Sequence, residues 1–127
     1  MHVTLKHILV VDDNPANLLL TQQMLKQQYR VSCVESGSAC LHFMEEDPAD
    51  LILLDVSMPQ MDGYQCCEKI RQHPDFSQVP IIFLTCQNNP NAESKGYEAG
   101  GTEYITRPCE IQDVIKRIQH HLHISQT

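Results

Sequence analysis

The most regular feature of the chain is a series of short apolar runs separated by segments with helical spacing. Three of the runs contain nearly unbroken aliphatic blocks, ILVV, LILL and IIFL, which are typical of parallel strands covered by helices on both faces. Turn-forming residues bound each run, and the runs predict five strands: His7 to Val11, Tyr29 to Val34, Leu51 to Leu54, Ile81 to Leu84 and Thr102 to Ile105.

The segments between the strands predict five helices. Asn14 caps the first, Ser38 opens the second, and Asp62 opens the third, because short polar side chains satisfy free amides at helix starts. The last two helices are predicted over Asn91 to Ala99 and Glu110 to Leu122. Gly96 lies inside the fourth helix and weakens it by about 1 kcal/mol relative to alanine, so we expect that helix to be the least stable.

The strict alternation of strands and helices predicts the fold class. Short connections between alternating elements imply a parallel sheet built from right-handed crossovers, with helices on both faces. We predict a doubly wound α/β domain with strand order 2-1-3-4-5, because the first and third strands are the most continuously aliphatic and both end in aspartate. All 127 residues are expected to form this one domain, with no output domain in the chain.

Charge and composition narrow the function. A formal net charge of -7 argues against direct nucleic-acid binding, which needs clustered lysine and arginine. No apolar run is long enough to span a bilayer, and the N-terminus lacks a signal peptide, so we expect a cytoplasmic protein. The six cysteines show no CxxC pair and fall mostly in apolar segments, which indicates reduced thiols.

Carboxylates follow two strands that we expect to be neighbours. Asp12 and Asp13 end the first strand and Asp55 ends the third, so all three reach one edge of the sheet, with the Thr85 hydroxyl after the fourth strand. Close carboxylates repel one another unless a cation lies between them, and oxygen ligands favour Mg²⁺ or a similar ion. The alternative is that these aspartates only cap the first helix and open a turn.

The motifs VVDD-NP, LILLD-VSMPQMDG, IIFLT and YITRP resemble, in order and spacing, those of two-component response regulator receiver domains. The resemblance covers nearly the whole chain. It implies a switch in phosphorelay signal transduction that takes a phosphoryl group from a histidine kinase or a phosphotransfer protein. Such a domain is not a classical enzyme, although it assists its own aspartyl phosphorylation and dephosphorylation.

The resemblance also implies roles at matching positions. Asp55 would be the phosphoacceptor; Asp13 and Asp55 would bind Mg²⁺ or Mn²⁺ directly, Asp12 through water, and Ser57 through its backbone carbonyl. Thr85 would hydrogen-bond a phosphoryl oxygen.

By the same resemblance, Tyr104 would couple the site to the protein surface, and Arg107 would lie near the phosphate. Tyr104 would turn inward when Thr85 is recruited. Arg107 departs from the family, which has a lysine there, and its wide guanidinium would either hold the phosphate or turn outward. We favour the outward orientation, with looser coupling to phosphate.

Three functional alternatives remain. The first is the phosphoacceptor switch, acting on an output domain, a target protein or a second copy through helix four, strand five and helix five. The second is a degenerate receiver that binds partners without phosphorylation, and the third is an unrelated Mg²⁺ phosphohydrolase or flavin protein. Separately, the HHLH tail would place His120 and His123 on one helix face, where they would bind a transition metal or simply complement the helix dipole.

Overall fold

Five strands and five helices alternate along the chain. The structure is a computed structural model that describes residues 5–126, with side chains described through residue 122. The elements are β1 His7–Val11, α1 Pro15–Leu25, β2 Arg30–Val34, α2 Gly37–Glu46, β3 Leu51–Leu54, α3 Gly63–Gln72, β4 Ile81–Thr85, α4 Pro90–Glu98, β5 Glu103–Thr106 and α5 Ile111–Gln126. Within residues 5–126, no helix is long and apolar enough to cross a membrane.

The strands form one parallel sheet in the order β2-β1-β3-β4-β5, which confirms the predicted fold. Val11 at the end of β1 lies beside Leu54 of β3, and Thr85 of β4 lies beside Thr106 of β5. The carboxyl ends of these strands therefore meet at one edge, where ligands bind in doubly wound sheets.

Two apolar layers explain the unbroken aliphatic runs. Leu9 and Val11 pack in a cluster with α2, α3 and α4, whereas Ile8 and Val10 pack in a second cluster with α1 and α5. Successive residues of a strand point to opposite faces of the sheet, so a strand covered on both faces must be apolar at every position. All five residues of β1 are buried.

Capping groups shift three predicted boundaries. Ser36, not Ser38, caps α2: its backbone is extended and its hydroxyl accepts from the Ala39 amide at 3.0 Å, which leaves Ser38 inside the first turn. Asn89 caps α4, so this helix starts one residue earlier than predicted. β5 starts at Glu103, one residue later than predicted, and Thr102 instead bonds Ile81 twice: its amide donates to the Ile81 carbonyl at 2.7 Å and its hydroxyl accepts from the Ile81 amide at 3.0 Å.

Arg71 of α3 bonds to the α3–β4 loop and the α4–β5 loop, which precede β4 and β5. Its guanidinium donates to the carbonyls of Val79 at 2.6 Å and Gly100 at 2.9 Å. Longer bonds of 3.3 Å reach the carbonyls of Phe76 and Ser77. A single side chain thereby satisfies several backbone acceptors that helices and strands leave free.

Candidate functional site

The three predicted carboxylates lie together at the carboxyl edge of the sheet. Asp12 and Asp13 follow β1 and Asp55 follows β3, and one oxygen from each lies within 4.8 Å of the others. Asp55 is held to β1 by its amide, which donates to the Val11 carbonyl at 2.9 Å. The arrangement arises because two adjacent parallel strands end at the same level.

Asp12 is almost fully buried and is held by several donors. Its Oδ1 accepts from the Asn14 amide at 2.9 Å, and its Oδ2 accepts from Asn17 Nδ2 at 3.2 Å. The helix cap is Asn14, whose side chain accepts from the Ala16 amide at 2.9 Å. Asp12 and Asp13 are thus not the caps of α1, and the capping alternative is wrong.

Arg107 turns inward and pairs with Asp12. Its Nη1 lies 3.2 Å from Asp12 Oδ2, and the Arg107 side chain is 20% exposed against 2% for Asp12. The guanidinium is therefore turned toward the carboxylates, and its looser coupling to phosphate stays a prediction. The physical reason is that a buried carboxylate attracts the nearest cation, and the long guanidinium can reach it.

Asp55 is half-buried, and its environment changes its acidity. Burial raises the pKa of Asp55 above its usual value and the nearby Asp12 raises it further, whereas a hydrogen bond with the Thr85 side chain opposes the rise. Its Oδ1 also accepts from the Val56 amide at 2.8 Å. The carboxylate is consequently oriented and partly screened from water.

Gly63 brings α3 against the backbone of Asp55. A Cβ at Gly63 would lie 2.2 Å from the Asp55 carbonyl oxygen and 2.8 Å from Val56 Cα. The Gly63 amide donates to the Val56 carbonyl at 2.8 Å. The requirement at this position is space for close approach of two backbones, a reason that the sequence pattern did not provide.

Gln87 links Thr85, Ser57 and Tyr104 beside the carboxylates. Its amide donates to Thr85 Oγ1 at 3.3 Å, and its side chain donates to Ser57 Oγ at 2.9 Å. Its carbonyl accepts from the Tyr104 hydroxyl at 2.7 Å. The sequence pattern does not reveal this connector, because two of its three bonds use backbone atoms, which carry no residue-specific signal.

Tyr104 already lies inside the fold. It is 8% exposed, and its ring packs on Phe83 with the centroids 5.7 Å apart. Burial raises the pKa of its hydroxyl well above the usual value, which fits a phenol used only as a hydrogen-bond donor. The inward position exists in this structure, and the coupling of that position to Thr85 remains a prediction.

The donor set fits a hard divalent cation. Oxygens around one Mg²⁺ lie up to about 4 Å apart, so small rotations would bring the three carboxylates to one ion. Asp13 is exposed and Asp12 is buried, which leaves one open side toward solvent. The hard oxygens and the absence of sulfur or imidazole from this cluster favour Mg²⁺ or Mn²⁺ over softer metals.

The histidine tail divides between described and undescribed side chains. His120 is exposed. The His121 side chain contacts the Glu103 carboxylate. The His123 side chain, which the metal hypothesis requires, lies outside the described residues.

Comparison with known proteins places the chain among signalling domains. The response regulator receiver domain profile matches residues 8–119. Response regulator PleD of Caulobacter vibrioides is 37% identical over 113 residues, covering 88% of this chain but 25% of PleD. The chain spans about a quarter or less of the length of the curated relatives it matches.

Two solved structures match closely in fold. The first is a response regulator receiver domain protein from Methanospirillum hungatei JF-1, with a TM-score of 0.89 and 27% identity over 97% of this chain and 98% of the other. The second is the receiver domain of the sensor histidine kinase PA1611 from Pseudomonas aeruginosa PAO1, described with magnesium coordinated in its active-site cleft. It has a TM-score of 0.86 and 30% identity over 93% of this chain and 98% of the other.

Proposed function

The chain belongs to the response regulator receiver domain family, and on that premise we propose that Asp55 accepts a phosphoryl group as a switch in two-component signalling. The observation that carries this proposal is the Asp12, Asp13 and Asp55 cluster beside Thr85. The proposed donor is a phosphohistidine on a histidine kinase or a phosphotransfer protein. Homologues in response regulators and in histidine kinases support partners of this class.

The chain's residues supply the positioning that phosphoryl transfer needs. The Asp55 carboxylate oxygen attacks phosphorus, a new O–P bond forms, and the N–P bond to the donor imidazole breaks. An ionised carboxylate is already a nucleophile, so no general base is required. The Val56 amide and Thr85 hold Asp55 in one orientation. A nucleophile held in the reactive orientation lowers the barrier to phosphoryl transfer.

We propose that Mg²⁺ or Mn²⁺ binds at the same cluster. Asp13 and Asp55 would be direct ligands, Asp12 a ligand through water, and Ser57 a ligand through its backbone carbonyl. A bound divalent ion supplies positive charge that neutralises the developing charge on the transferring phosphoryl oxygens. The magnesium described for the PA1611 receiver supports this choice of ion.

Thr85, Tyr104 and Arg107 are proposed to read the modification. Thr85 would bind a phosphoryl oxygen, and its existing bond to the Gln87 amide gives a direct route from that oxygen to the Tyr104 hydroxyl. Arg107 would supply a second positive charge once it leaves Asp12. The surface formed by α4, β5 and α5 is the proposed contact for an output domain, a target protein or a second copy.

One observation favours a second candidate, a receiver that binds partners without phosphorylation. Arg107 places a cation on Asp12, the buried carboxylate of the metal cluster, and thereby stabilises the cluster without an ion. In that case the chain would keep its fold and surface but would not accept phosphate.

Small-molecule phosphorylation separates the two candidates. Acetyl phosphate or phosphoramidate should add one phosphoryl group, measured by intact mass, only when Mg²⁺ is present. Asp55→Asn should abolish the addition, whereas Asp75→Asn, an exposed aspartate in the α3–β4 loop, should leave it unchanged. Labelling of Asp55→Asn equal to that of the unmodified sequence would refute the assignment, and no labelling of either would favour the phosphorylation-independent receiver.

A further inference from the structure

A cavity lies beside the carboxylate cluster, on the face that carries α1 and α5. It has a volume of about 440 Å³. Its walls are mostly apolar and include Leu20 and Met24 of α1 with Ile111 and Val114 of α5. Arg107 forms part of the lining next to the site, and two thiols, Cys86 and Cys109, complete it.

The two thiols belong to neighbouring loops that follow β4 and β5. Thr85 and Thr106 are paired in the sheet, and the Arg107 amide donates to the Thr85 carbonyl at 2.8 Å. Cys86 comes directly after Thr85, and Cys109 comes two residues after Arg107. The chain therefore holds both residues close to the same pair of strand ends, where they line one cavity.

Solvent exposure distinguishes Cys86 and Cys109 from the other cysteines. Cys86 and Cys109 are exposed, whereas Cys40, Cys66 and Cys67 are buried at 0% exposure and Cys33 is intermediate. Cys40 and Cys66 share a hydrogen bond, so proximity alone would favour them. A dissolved oxidant reaches only thiols that solvent reaches, which favours the exposed pair.

We propose that Cys86 and Cys109 form a reversible intramolecular disulfide when a hydroperoxide oxidises the protein. One thiol reduces the peroxide to give a sulfenic acid and one water or alcohol. The second thiol then attacks that sulfur, the S–S bond forms, and a second water leaves. The two thiols together give up two electrons and two protons. The electrons break the peroxide O–O bond, and the protons end on the oxygens of the two products.

Solvent reaches both sulfurs, so either thiol can be oxidised first while the other attacks the sulfenic acid that forms. Disulfides of this transient kind occur as redox sensors in otherwise reducing compartments.

The bond would restrain the loop that carries Gln87. Cys86 lies between Thr85 and Gln87, and a link to Cys109 would anchor that loop to the β5–α5 connection. This modification does not depend on phosphorylation of Asp55. Amide exchange of residues 87–89 should slow several-fold on oxidation and recover on reduction, without any phosphodonor present.

The test treats the full chain with hydrogen peroxide, blocks free thiols with N-ethylmaleimide under denaturing conditions, and measures intact mass and peptide masses. Two of the six thiols should escape alkylation. One linked peptide should join Cys86 to Cys109, and dithiothreitol should reverse the change. Cys86→Ser and Cys109→Ser should each prevent the link, whereas Cys33→Ser should keep it.

Three outcomes would overturn the proposal. The first is a linked peptide that joins any other pair, such as Cys40 and Cys66. The second is a bond between two chains, seen as a dimer on a non-reducing gel whose yield rises with protein concentration. The third is complete alkylation of both thiols after peroxide treatment that does oxidise the exposed Met24.

Discussion

The ring of Tyr104 occupies the space that a side chain at Gly96 would need. A Cβ at Gly96 would lie 2.7 Å from Tyr104 Cδ2 and 3.3 Å from Phe83 Cδ2. Helix α4 therefore lies against the inward ring because residue 96 has no side chain. The glycine that lowers the intrinsic stability of α4 makes room for the aromatic residue of β5.

Gly96→Ala should destabilise the fold or displace the Tyr104 ring. Over-packing costs about 1–3 kcal/mol, and the gain in helix propensity returns only about 1 kcal/mol. We expect a loss of about 1 kcal/mol in the free energy of unfolding, measured by urea denaturation. In a Tyr104→Ala background the same change should be neutral or stabilising, and an equal loss in both backgrounds would contradict the contact.

Arg107→Gln should tighten divalent-cation binding. The guanidinium and a metal ion both favour the Asp12 carboxylate, so removal of the guanidinium removes a competing charge. We expect the Mg²⁺ Kd to fall roughly fivefold, equivalent to about 1 kcal/mol, measured by isothermal titration calorimetry. Lys116→Gln, the same charge change at an exposed position of α5, should leave Kd nearly unchanged. Weaker binding by Arg107→Gln would show that the guanidinium supports the metal site.

Arg107→Lys tests the departure from the family's lysine. A lysine ammonium is a compact point charge, whereas the guanidinium is held by Asp12 in this structure. We expect tighter beryllofluoride binding in the lysine variant, together with a larger hydrogen-exchange response. Loss of both would identify Arg107 as a direct ligand of the phosphoryl group.

Beryllofluoride should change hydrogen exchange around the Gln87 connector. If Thr85 moves to a bound phosphoryl mimic, the 3.3 Å bond from the Gln87 amide must lengthen or be replaced. We expect altered exchange between Gln87 and Arg107 by mass spectrometry, with α2 unchanged as an internal reference. Unchanged protection over residues 87–107 at saturating beryllofluoride would contradict the switch.

Arg71→Met should strongly destabilise the protein without touching the carboxylate cluster. The guanidinium donates to carbonyls in the α3–β4 and α4–β5 loops, and its loss leaves them without donors. We expect a loss of about 2–4 kcal/mol in the free energy of unfolding. Lys69→Met on the exposed side of α3 should change stability by less than about 0.5 kcal/mol.

The fold and the carboxylate cluster could be predicted because both follow from simple periodicities. Apolar residues from Ile8 to Val11 in β1 and at every position of β3 indicate strands buried on two faces, and Asp12 and Asp55 directly follow them. The cap of α2 was predicted at Ser38 instead of Ser36, because a serine hydroxyl at either position can accept a hydrogen bond from a first-turn amide. The inward Arg107 was missed because its partner, Asp12, lies 95 residues earlier in the chain.

The contact between Gly63 and Asp55 leaves Asp55 with one tightly packed side and one less tightly packed side. The backbone behind Asp55 is closed by α3, where even a methyl group would not fit. On the other side, the Thr85 side chain bonds the carboxylate, and Gln87 reaches Thr85 through one hydrogen bond of 3.3 Å. Because backbone contact with α3 blocks movement on the Gly63 side, a change at Asp55 should displace the residues on the β4 and β5 side.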